Sequence, residues 1–245
     1  MQPFLSVIIP AYNEAERIGS SLVAILNYLQ AQTYTFELIV VDDGSRDKTI
    51  DVVKSTPCAN EKIRIVSYQP NRGKGYAIRQ GVLASCGEYV LFMDADLSTP
   101  VAEIARALAL SNDYDIVIGS RALRNSQVVV YQPLYRRIGA KVFNVLRDGL
   151  VGAGIRRFKD TQCGFKLFRG DLARQIFSQA QVTGFMFDVE ILYLALKWNL
   201  KIAELPVEWA NVPGSKLRLF SDTRRMFQDL ALIRWSHRQS VRPAK

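Results

Sequence analysis

Four short apolar runs, each ending at once in polar residues, set the strongest limit on how this chain can fold. They are 5–10, 36–41, 63–67 and 89–93, and each has the length of a buried strand. The first two are separated by a segment whose apolar residues follow a helical spacing, as at Ile18, Leu22, Ile25 and Leu29. Strands that alternate with helices predict an α/β domain with a mostly parallel sheet and right-handed crossovers.

The rest of the chain continues this alternation. We predict further strands over 115–119 and 201–209, and helices over 15–30, 47–54, 74–84, 100–110, 171–178 and 185–196. No internal repeat or low-complexity linker interrupts the pattern, and the one soft boundary lies near residue 210. We therefore expect a main domain over 1–210 and a basic C-terminal helical segment over 211–245. This segment either belongs to the same domain or faces a membrane.

Composition excludes several classes of protein. With 245 residues, of which 49% are hydrophobic, the chain can bury a full core without disulfides or structural metals. Cys58, Cys86 and Cys163 are odd in number and lack metal-ligand spacing, which favours a reducing compartment. The single histidine, His237, argues against a histidine-based triad or a zinc site. No signal peptide or 18-residue apolar run is present, so we expect a cytoplasmic location without a transmembrane helix.

Polar side chains follow each of the four predicted strands. Turn chemistry alone explains any one of these sets, because Asn, Asp and Gly are common in turns. However, the carboxyl ends of parallel strands meet at one edge of the sheet, where ligands bind. Four polar strand ends in succession therefore predict a binding site at this edge. Its candidate residues are Tyr12, Asn13, Glu14, Asp42, Asp43, the loop 71–75, Asp94 and Asp96.

Asp94 and Asp96 lie one residue apart directly after an apolar run. Burying carboxylates beside apolar strands is costly unless a cation meets them, and Mg²⁺ or Mn²⁺ prefers such oxygen ligands. The alternative is a turn that leads into a helix, with Ser98 or Thr99 as the cap and Pro100 at the first helical position. Both interpretations can hold together.

Cationic residues lie near the same strand ends. Arg72 and Lys74 stand between glycine residues in the loop 71–75, where the backbone could approach a phosphate closely, although the pattern alone is a weak motif. Arg121 follows the strand predicted over 115–119. Its guanidinium either makes a bidentate contact with phosphate or forms a surface salt bridge.

The net charge of +9 is concentrated in two segments. Residues 121–159 carry nine basic and one acidic side chain, and residues 216–245 carry eight basic and two acidic ones, which leaves −5 for the remainder. Such segments either face an anionic membrane or polyanion, or are simply soluble helices.

Within these segments, apolar and basic residues alternate as in interfacial helices. The first segment overlaps an amphipathic stretch over 128–151, which could also be an ordinary helix covering the sheet. The residues concerned are Leu134, Ile138, Val142 and Phe143 with Arg136, Arg137 and Lys141, and Phe227, Leu230 and Ile233 with Arg224, Arg225 and Arg234.

Eight motifs in a fixed order make this chain resemble the family 2 glycosyltransferases. They are P-A-Y-N-E at 10–14, D-D-G-S at 42–45, N-R-G-K-G at 71–75, D-A-D at 94–96, G-S-R at 119–121, D-T-Q-C-G-F-K at 160–166, F-D-V-E at 187–190 and G-S-K-L at 214–217. Within that family the chain is similar to the polyprenyl-phosphate sugar synthases, among them the dolichyl-phosphate glucosyl- and mannosyltransferases. The resemblance implies the GT-A fold, a Rossmann-like and mostly parallel sheet flanked by helices, here with C-terminal amphipathic helices.

The resemblance also implies roles for individual residues. The donor, a UDP-sugar, would be held by Pro10, Tyr12, Glu14, Asp42, Asp43, Lys74, Asp94 and Asp96. Of these, Asp94 and Asp96 would act through Mg²⁺ or Mn²⁺. Phosphates of the donor or of the lipid acceptor would meet Arg121, Arg136, Lys166 and Lys216. Asp96, Asp188 and Arg121 would be the catalytic residues. Ser98 departs from the family pattern, because mannose synthases often carry a further metal contact at that position.

The implied reaction is transfer of a hexose, with glucose favoured, to a polyprenyl phosphate with inversion at the anomeric carbon. The acceptor oxygen is already anionic near neutral pH, so no strong base is needed, and Asp188 either acts as a base or orients a substrate. The two basic segments would hold the protein at the cytoplasmic face of an anionic membrane.

Three other functions remain as alternatives. A family 2 transferase with a saccharide hydroxyl acceptor would share the donor motifs but would need Asp188 as its base. A nucleotidyltransferase usually opens with a glycine-rich basic loop, which P-A-Y-N-E is not. A nucleic-acid-binding protein would account for the charge but not for the acidic strand ends, and the basic segments lack evenly interleaved aromatics. We therefore expect no nucleic-acid partner.

Overall fold

A seven-stranded sheet forms the centre of the computed structural model, which describes residues 2–57, 62–130, 144–145, 147–210, 219–240 and 242. A second sheet has two strands. In chain order the strands are β1 Leu5–Ala11, β2 Phe36–Asp42, β3 Ile63–Ser67, β4 Tyr89–Met93, β5 Ile116–Ser120, β6 Gln127–Val130, β7 Phe165–Arg169, β8 Ile202–Pro206 and β9 Glu208–Ala210.

The order of the large sheet is β3-β2-β1-β4-β7-β5-β8, and all neighbours are parallel except the two pairs that involve β7. The chain turns back across the sheet between β1 and β4, which makes this junction a topological switch point. Because β7 runs antiparallel, its first residue lies at the same edge as the carboxyl ends of β4 and β5. Met93 pairs with Phe165 there.

Helices cover both faces of the sheet. They are α1 Ile18–Gln30, α2 Thr49–Ser55, α3 Lys74–Ala84, α4 Glu103–Leu110, a 3-10 helix Ala153–Arg157, α5 Gly170–Gln179, α6 Phe187–Lys197 and α7 Leu219–Ser236. Neighbouring β1 residues point to opposite faces. Ile8 belongs to the core cluster that includes residues of α3, α5, α6 and α7, whereas Ile9 belongs to the cluster that includes residues of α1, α2 and α4. The predicted α/β architecture is confirmed.

Strand β7 was not predicted from the sequence. Phe165, Leu167 and Phe168 are all buried in the core, but the lysine at position 166 interrupts the apolar run that would have marked a strand. The side chain of Lys166 is itself fully buried. An internal ion pair, described below, permits this burial.

Two predicted elements are wrong in part. Residues 128–130 belong to β6 and not to a helix, as expected of three consecutive β-branched valines. Residues 147–151 are helical, while 131–143 lie outside the described residues. The single strand predicted over 201–209 is two strands, because β8 belongs to the large sheet and β9 pairs with β6.

The apolar residues of the C-terminal helix α7 that were predicted to face a membrane do not all lie at the surface. Leu230 and Ile233 are buried in the core, so they cannot face a membrane as predicted. Among the described side chains of α7, the large apolar ones that are exposed are Phe227, Leu232 and Trp235, the last of which is 81% exposed. Within the part of the chain that the structure describes, no helix is both long and apolar enough to cross a membrane.

Candidate active site

The carboxyl end of β2 brings Asp42 into the edge predicted to bind a ligand. Asp42 is buried and accepts hydrogen bonds from the Ser45 backbone N–H at 3.3 Å and from the Ser67 hydroxyl at 3.1 Å. Pro10 and Tyr12, at the end of neighbouring β1, are half-buried beside it, and Ala11 pairs with Asp42. Three adjacent strands therefore meet around one carboxylate.

Asp43 holds the glycine loop 71–75. Its carboxylate accepts hydrogen bonds from Asn71 Nδ2 at 2.8 Å, the Arg72 N–H at 2.7 Å and the Gly73 N–H at 2.8 Å. Burial raises the pKa of Asp43, and the hydrogen bonds from the loop oppose this. Gly44 has φ 71°, and a Cβ there would lie 2.8 Å from the Asn71 nitrogen, so only glycine fits this close approach. Asp43 thus positions the loop that carries Lys74.

Glu14 forms an ion pair with Arg17, which sequence reasoning missed. The Glu14 carboxylate accepts hydrogen bonds from Arg17 Nη2, at 2.9 Å, and from Arg17 Nε. The Glu14 N–H donates a hydrogen bond to Thr49 Oγ1 at 2.7 Å. The hydrogen bond to Glu14 raises the pKa of Arg17, and the charges of Asp96 and Asp94 raise it further. Arg17 therefore lies within electrostatic range of the D-A-D carboxylates. The i, i+3 spacing of Glu14 and Arg17 was the available signal.

Asp94 lies between Lys74 and Gly164. Lys74 Nζ is 2.6 Å from Asp94 Oδ1, and a Cβ on Gly164 would lie 2.0 Å from Asp94 Oδ2. The glycine of D-T-Q-C-G-F-K therefore leaves room for this carboxylate, a role that the sequence did not show.

Asp96 accepts hydrogen bonds from Ser98, through the backbone N–H at 3.0 Å and the hydroxyl at 2.8 Å, both to Oδ1. Leu97 between them has φ 50°, a strained value for a branched residue. The predicted helix start at Pro100 is wrong, because α4 begins at Glu103 without a side-chain cap. Ser98 thus fixes Asp96 instead of capping a helix.

Lys74 lies among several carboxylates. Burial opposes its positive charge, yet Asp94 and Asp188, with Asp96 adding to them, raise the pKa of Lys74. These side chains come from the ends of different elements, but their charges act on one ammonium group. The sequence-predicted residues Lys74, Asp94, Asp96 and Asp188 are therefore brought together.

Lys166 and Asp188 form a buried ion pair. Lys166 Nζ lies 2.5 Å from Asp188 Oδ1 and donates to the Cys163 carbonyl at 2.6 Å, and both side chains are almost completely inaccessible. Burial raises the pKa of Asp188, whereas Lys166 and Lys74 oppose that rise. The Lys166 ammonium, predicted to meet a phosphate of the donor or the acceptor, is thus committed to Asp188 and a backbone carbonyl.

Arg121 forms a bidentate ion pair with Asp160. Nε lies 2.6 Å from Asp160 Oδ2 and Nη2 lies 2.9 Å from Oδ1, while the Arg121 N–H also donates to Oδ2 at 3.0 Å. Burial would raise the pKa of Asp160, but the guanidinium overcomes this and lowers it to about 2. Of the two predicted interpretations of Arg121, the structure shows the salt bridge, and it is largely buried.

Arg147 belongs to the segment predicted to face an anionic surface, but it is buried. Its guanidinium donates to Thr161 Oγ1 at 3.1 Å and to Asp148 Oδ1 at 2.7 Å. Arg147 thus fixes the turn next to Asp160 and is not available to an external anion. Arg136 and Lys216, predicted to contact phosphate, lie outside the described residues.

Asp94 and Asp96 are the candidate ligands for a divalent metal. Among the residues that the structure describes, no group of three or more His, Cys, Asp or Glu side chains could hold a metal ion. Asp94 and Asp96 provide two carboxylates, and Asp96 Oδ2 accepts no hydrogen bond from the described residues. Mg²⁺ in nucleotide sites usually takes one or two carboxylates, substrate phosphates and water. The pair therefore fits a metal that arrives with a diphosphate.

A mostly parallel sheet with paired carboxylates at its switch point and cations beside them is the arrangement of the GT-A class. The chain belongs to glycosyl transferase family 2, whose model matches residues 6–177. It is 40% identical to the dolichyl-phosphate beta-glucosyltransferase of Dictyostelium discoideum and 36% identical to that of Saccharomyces cerevisiae. Each alignment covers 96% of this chain and 75% of the relative.

Solved structures share the fold at lower sequence identity. Glucosyl-3-phosphoglycerate synthase from Mycobacterium tuberculosis, in complex with Mn²⁺, UDP and glucosyl-3-phosphoglycerate, has a TM-score of 0.64 at 18% identity over 96% of this chain and 79% of its own. Mannosyl-3-phosphoglycerate synthase from Rubrobacter xylanophilus has a TM-score of 0.67 at 19% identity, over 97% and 74%. These similarities confirm the GT-A fold predicted from the sequence.

Proposed function

We propose that this protein is a dolichyl-phosphate β-glucosyltransferase, which transfers glucose from UDP-glucose to the phosphate of a polyprenyl lipid. The observation that carries this proposal is the similarity, along nearly the whole chain, to relatives of that name from distant organisms. The geometry of the site supports it in three respects, namely the donor site, the acceptor site and the surface around the C-terminal helix.

The donor would bind across the ends of β1, β2 and β4. Pro10, Tyr12, Glu14 and Asp42 line this edge and would contact the uracil and ribose. Asp43 would act indirectly, because its carboxylate holds the loop that carries Lys74. Lys74 would meet the diphosphate, since its ammonium already lies among the carboxylates of the site.

Asp94 and Asp96 would hold Mg²⁺ or Mn²⁺ together with the diphosphate of the donor. When bound, this ion would neutralise the charge that develops on the departing UDP. Gly164 and Ser98 set the positions of the two carboxylates. The M. tuberculosis structure with Mn²⁺ and UDP supports such a site in a protein of this fold.

In the reaction, an oxygen of the acceptor phosphate forms a bond to C1 of glucose while the bond from C1 to the UDP oxygen breaks. The electron pair of that bond leaves with UDP, and the anomeric configuration inverts. No proton has to be removed from the acceptor, because a phosphate monoester is anionic near neutral pH.

The Lys166–Asp188 ion pair fits this acceptor. A hydroxyl acceptor would require a free base, whereas Asp188 is held by the buried Lys166 at 2.5 Å. We assign Asp188 to orienting a substrate and Arg121, held in place by Asp160, to contacting a phosphate of the substrates. The Lys166 ammonium holds the Asp188 carboxylate in position through their ion pair.

The surface around α7 supports attachment to an anionic membrane, proposed here at its cytoplasmic face. Arg234 Nη1 is 3.4 Å from the Leu150 carbonyl, so the two basic segments contact each other at these residues. Leu150 and Trp235, which neighbours Arg234 in the sequence, are exposed, as is Val145. Cations beside exposed apolar side chains are typical of peripheral membrane proteins. A lipid-linked phosphate lies at the headgroup level of such a membrane.

The experiment incubates the protein with radiolabelled UDP-glucose, Mn²⁺ and dolichyl phosphate in anionic vesicles, and measures label in the organic phase. We expect lipid-linked glucose that requires the metal and is lost in Asp96→Asn. UDP-mannose, GDP-mannose and UDP-galactose serve as donor controls. Label that appears only in a soluble saccharide acceptor would contradict the proposal and favour a hydroxyl acceptor.

A further inference from the structure

His237, the one histidine of the chain, is buried just beyond the end of α7. Its Nε2 lies 2.7 Å from Oε1 of Glu190, and both side chains are at most 3% exposed. Glu190 is the last residue of the F-D-V-E motif. The proposed reaction gives a role to Asp188 of this motif but none to Glu190. A buried carboxylate is costly unless its oxygens are matched by donors, so these contacts have a structural purpose.

The same carboxylate binds the backbone of a loop. Glu190 Oε1 accepts the Gln181 N–H at 2.8 Å, and Oε2 accepts the Val182 N–H at 2.9 Å. Both oxygens are thus used to fix the start of the segment 181–184, which connects α5 to α6. With His237 as the third donor, Glu190 joins this segment to the end of the C-terminal helix.

The segment 181–184 in turn packs against the glycine loop of the donor site. The Tyr76 N–H donates to the Thr183 carbonyl at 3.2 Å. A Cβ on Gly73 would lie 2.5 Å from that carbonyl oxygen, and one on Gly75 would lie 2.7 Å from the Val182 carbonyl oxygen. Backbone contacts this close leave the glycine loop little freedom to move independently. Lys74, which lies between the two glycines, carries the ammonium that contacts Asp94.

We propose that His237 is a positioning residue for donor binding: through Glu190 and the segment 181–184 it holds the glycine loop, and thereby Lys74, in place. This inference rests on the proposed UDP-sugar donor. His237 itself touches no substrate. Arg72, Tyr76 and His237 line one open groove of about 720 Å³. The hydrogen bonds that connect His237 to the glycine loop pass through Glu190 and the segment 181–184.

The end of α7 offers a matched control. Ser240 Oγ donates to Gln179 Oε1 at 2.7 Å, which ties the same region to α5 without involving Glu190. Ser240→Ala therefore removes an anchor of the C-terminal region but leaves the Glu190 contacts intact. Leu230 and Ile233 remain buried in both variants and keep α7 on the core.

The test measures UDP binding by calorimetry with Mn²⁺ and without acceptor, together with thermal unfolding, for the full chain. We expect His237→Ala to weaken UDP binding about tenfold, the range that one hydrogen bond to a charged group can contribute. Ser240→Ala should bind UDP as the wild type does. His237→Gln, whose amide can still donate to Glu190, should recover most of the affinity.

A second measurement uses Glu190→Gln, which loses one backbone contact, alone and combined with His237→Ala. If His237 acts through Glu190, the combined variant should bind UDP hardly more weakly than Glu190→Gln alone. If His237→Ala folds poorly, Glu190→Gln alone carries the test, and it should weaken UDP binding. In steady-state kinetics, KM for UDP-glucose should rise while KM for the lipid stays unchanged.

Wild-type affinity for UDP in both folded His237→Ala and Glu190→Gln would overturn the inference. Equal losses in Ser240→Ala and His237→Ala would also overturn it, because they would indicate general loosening of the C-terminal region. If the wild-type protein itself binds no UDP, the proposed function fails instead.

Discussion

At the scale of single residues, the strand-end carboxylates depend on neighbours that leave room for them. Gly164 is the clearest case, because a Cβ there would lie 2.0 Å from Asp94 Oδ2. Replacing this glycine would displace the carboxylate without removing any functional group. Gly149 offers a matched control, since a Cβ there would meet no atom of the described residues within 4 Å.

We predict that Gly164→Ala abolishes glucose transfer and lowers the free energy of unfolding by about 1–3 kcal/mol, the usual cost of overpacking. Gly149→Ala should retain activity and stability. Transfer assays and urea unfolding of both variants check this. Full activity of Gly164→Ala would show that the position of Asp94 does not matter.

The lowered pKa of Asp160 leads us to predict that the stability of the protein depends on pH. This pKa is about 2 in the folded protein, below the ~3.9 of an unfolded aspartate, so the folded state binds fewer protons. The resulting stabilisation, about 2–3 kcal/mol, is complete above roughly pH 5 and is lost as the pH falls towards about 2. The free energy of unfolding of the wild type should therefore fall more steeply over this range than that of Asp160→Asn. Parallel pH profiles would be the contrary result.

The sequence predicted the site residues that follow apolar runs, because the change from apolar to polar is visible locally. Asp42, Asp94 and Asp96 were found in this way. It did not show the partners that come from distant parts of the chain. That Asp160 pairs with Arg121, or that Gly164 borders Asp94, depends on the antiparallel strand β7, which the sequence did not reveal.

At the scale of elements, the ion pair between Lys166 on β7 and Asp188 on α6 connects the sheet to the helix that begins at the site. Breaking a buried pair leaves one charge uncompensated and costs about 3–5 kcal/mol, whereas replacing both partners with apolar residues is often neutral. The pair therefore contributes more to placing Asp188 than to net stability.

We predict that Asp188→Leu lowers the free energy of unfolding by about 3–5 kcal/mol and that the double change Lys166→Met, Asp188→Leu recovers most of the loss. Neither variant should transfer glucose. Urea unfolding of the two single variants and the double variant measures the coupling. A double variant as unstable as the sum of the single changes would contradict this account of the pair.

Helices and strands were predictable where one regular spacing of apolar residues dominates the local sequence. Strands β3 and β4 and helix α3 have the predicted bounds. Strand β7 was hidden by its buried lysine, and the valines of β6 were included in an amphipathic stretch whose later part is helical. In both cases tertiary pairing decided the structure, which a local pattern cannot show.

At the scale of the whole molecule, basic and apolar side chains meet around α7. Trp235 is 81% exposed, and its neighbour Arg234 contacts the Leu150 carbonyl of the other basic segment. Exposed tryptophan beside arginine is typical of membrane interfaces. Tyr114, an exposed aromatic residue directly before β5, lies at the amino end of that strand, away from the carboxyl end that leads to the candidate site, and serves as a control.

We predict that the protein sediments with anionic vesicles at low salt and is released at high salt, because screening weakens the attraction of its cations. Trp235→Ser should reduce the bound fraction with no change in the unfolding midpoint, whereas Tyr114→Ser should leave it unchanged. Equal binding of wild type and Trp235→Ser would place the contact surface elsewhere.

The central claim is that glucose is transferred to a phosphate oxygen with inversion, and NMR of the product tests it most directly. The protein is incubated with UDP-glucose, Mn²⁺ and a short, soluble polyprenyl phosphate, and the purified product is examined by ¹H and ³¹P spectroscopy. The account predicts an anomeric proton that is coupled to phosphorus and has the coupling to H2 of a β-glucoside. An anomeric proton without coupling to phosphorus, or one with the α configuration, would contradict it.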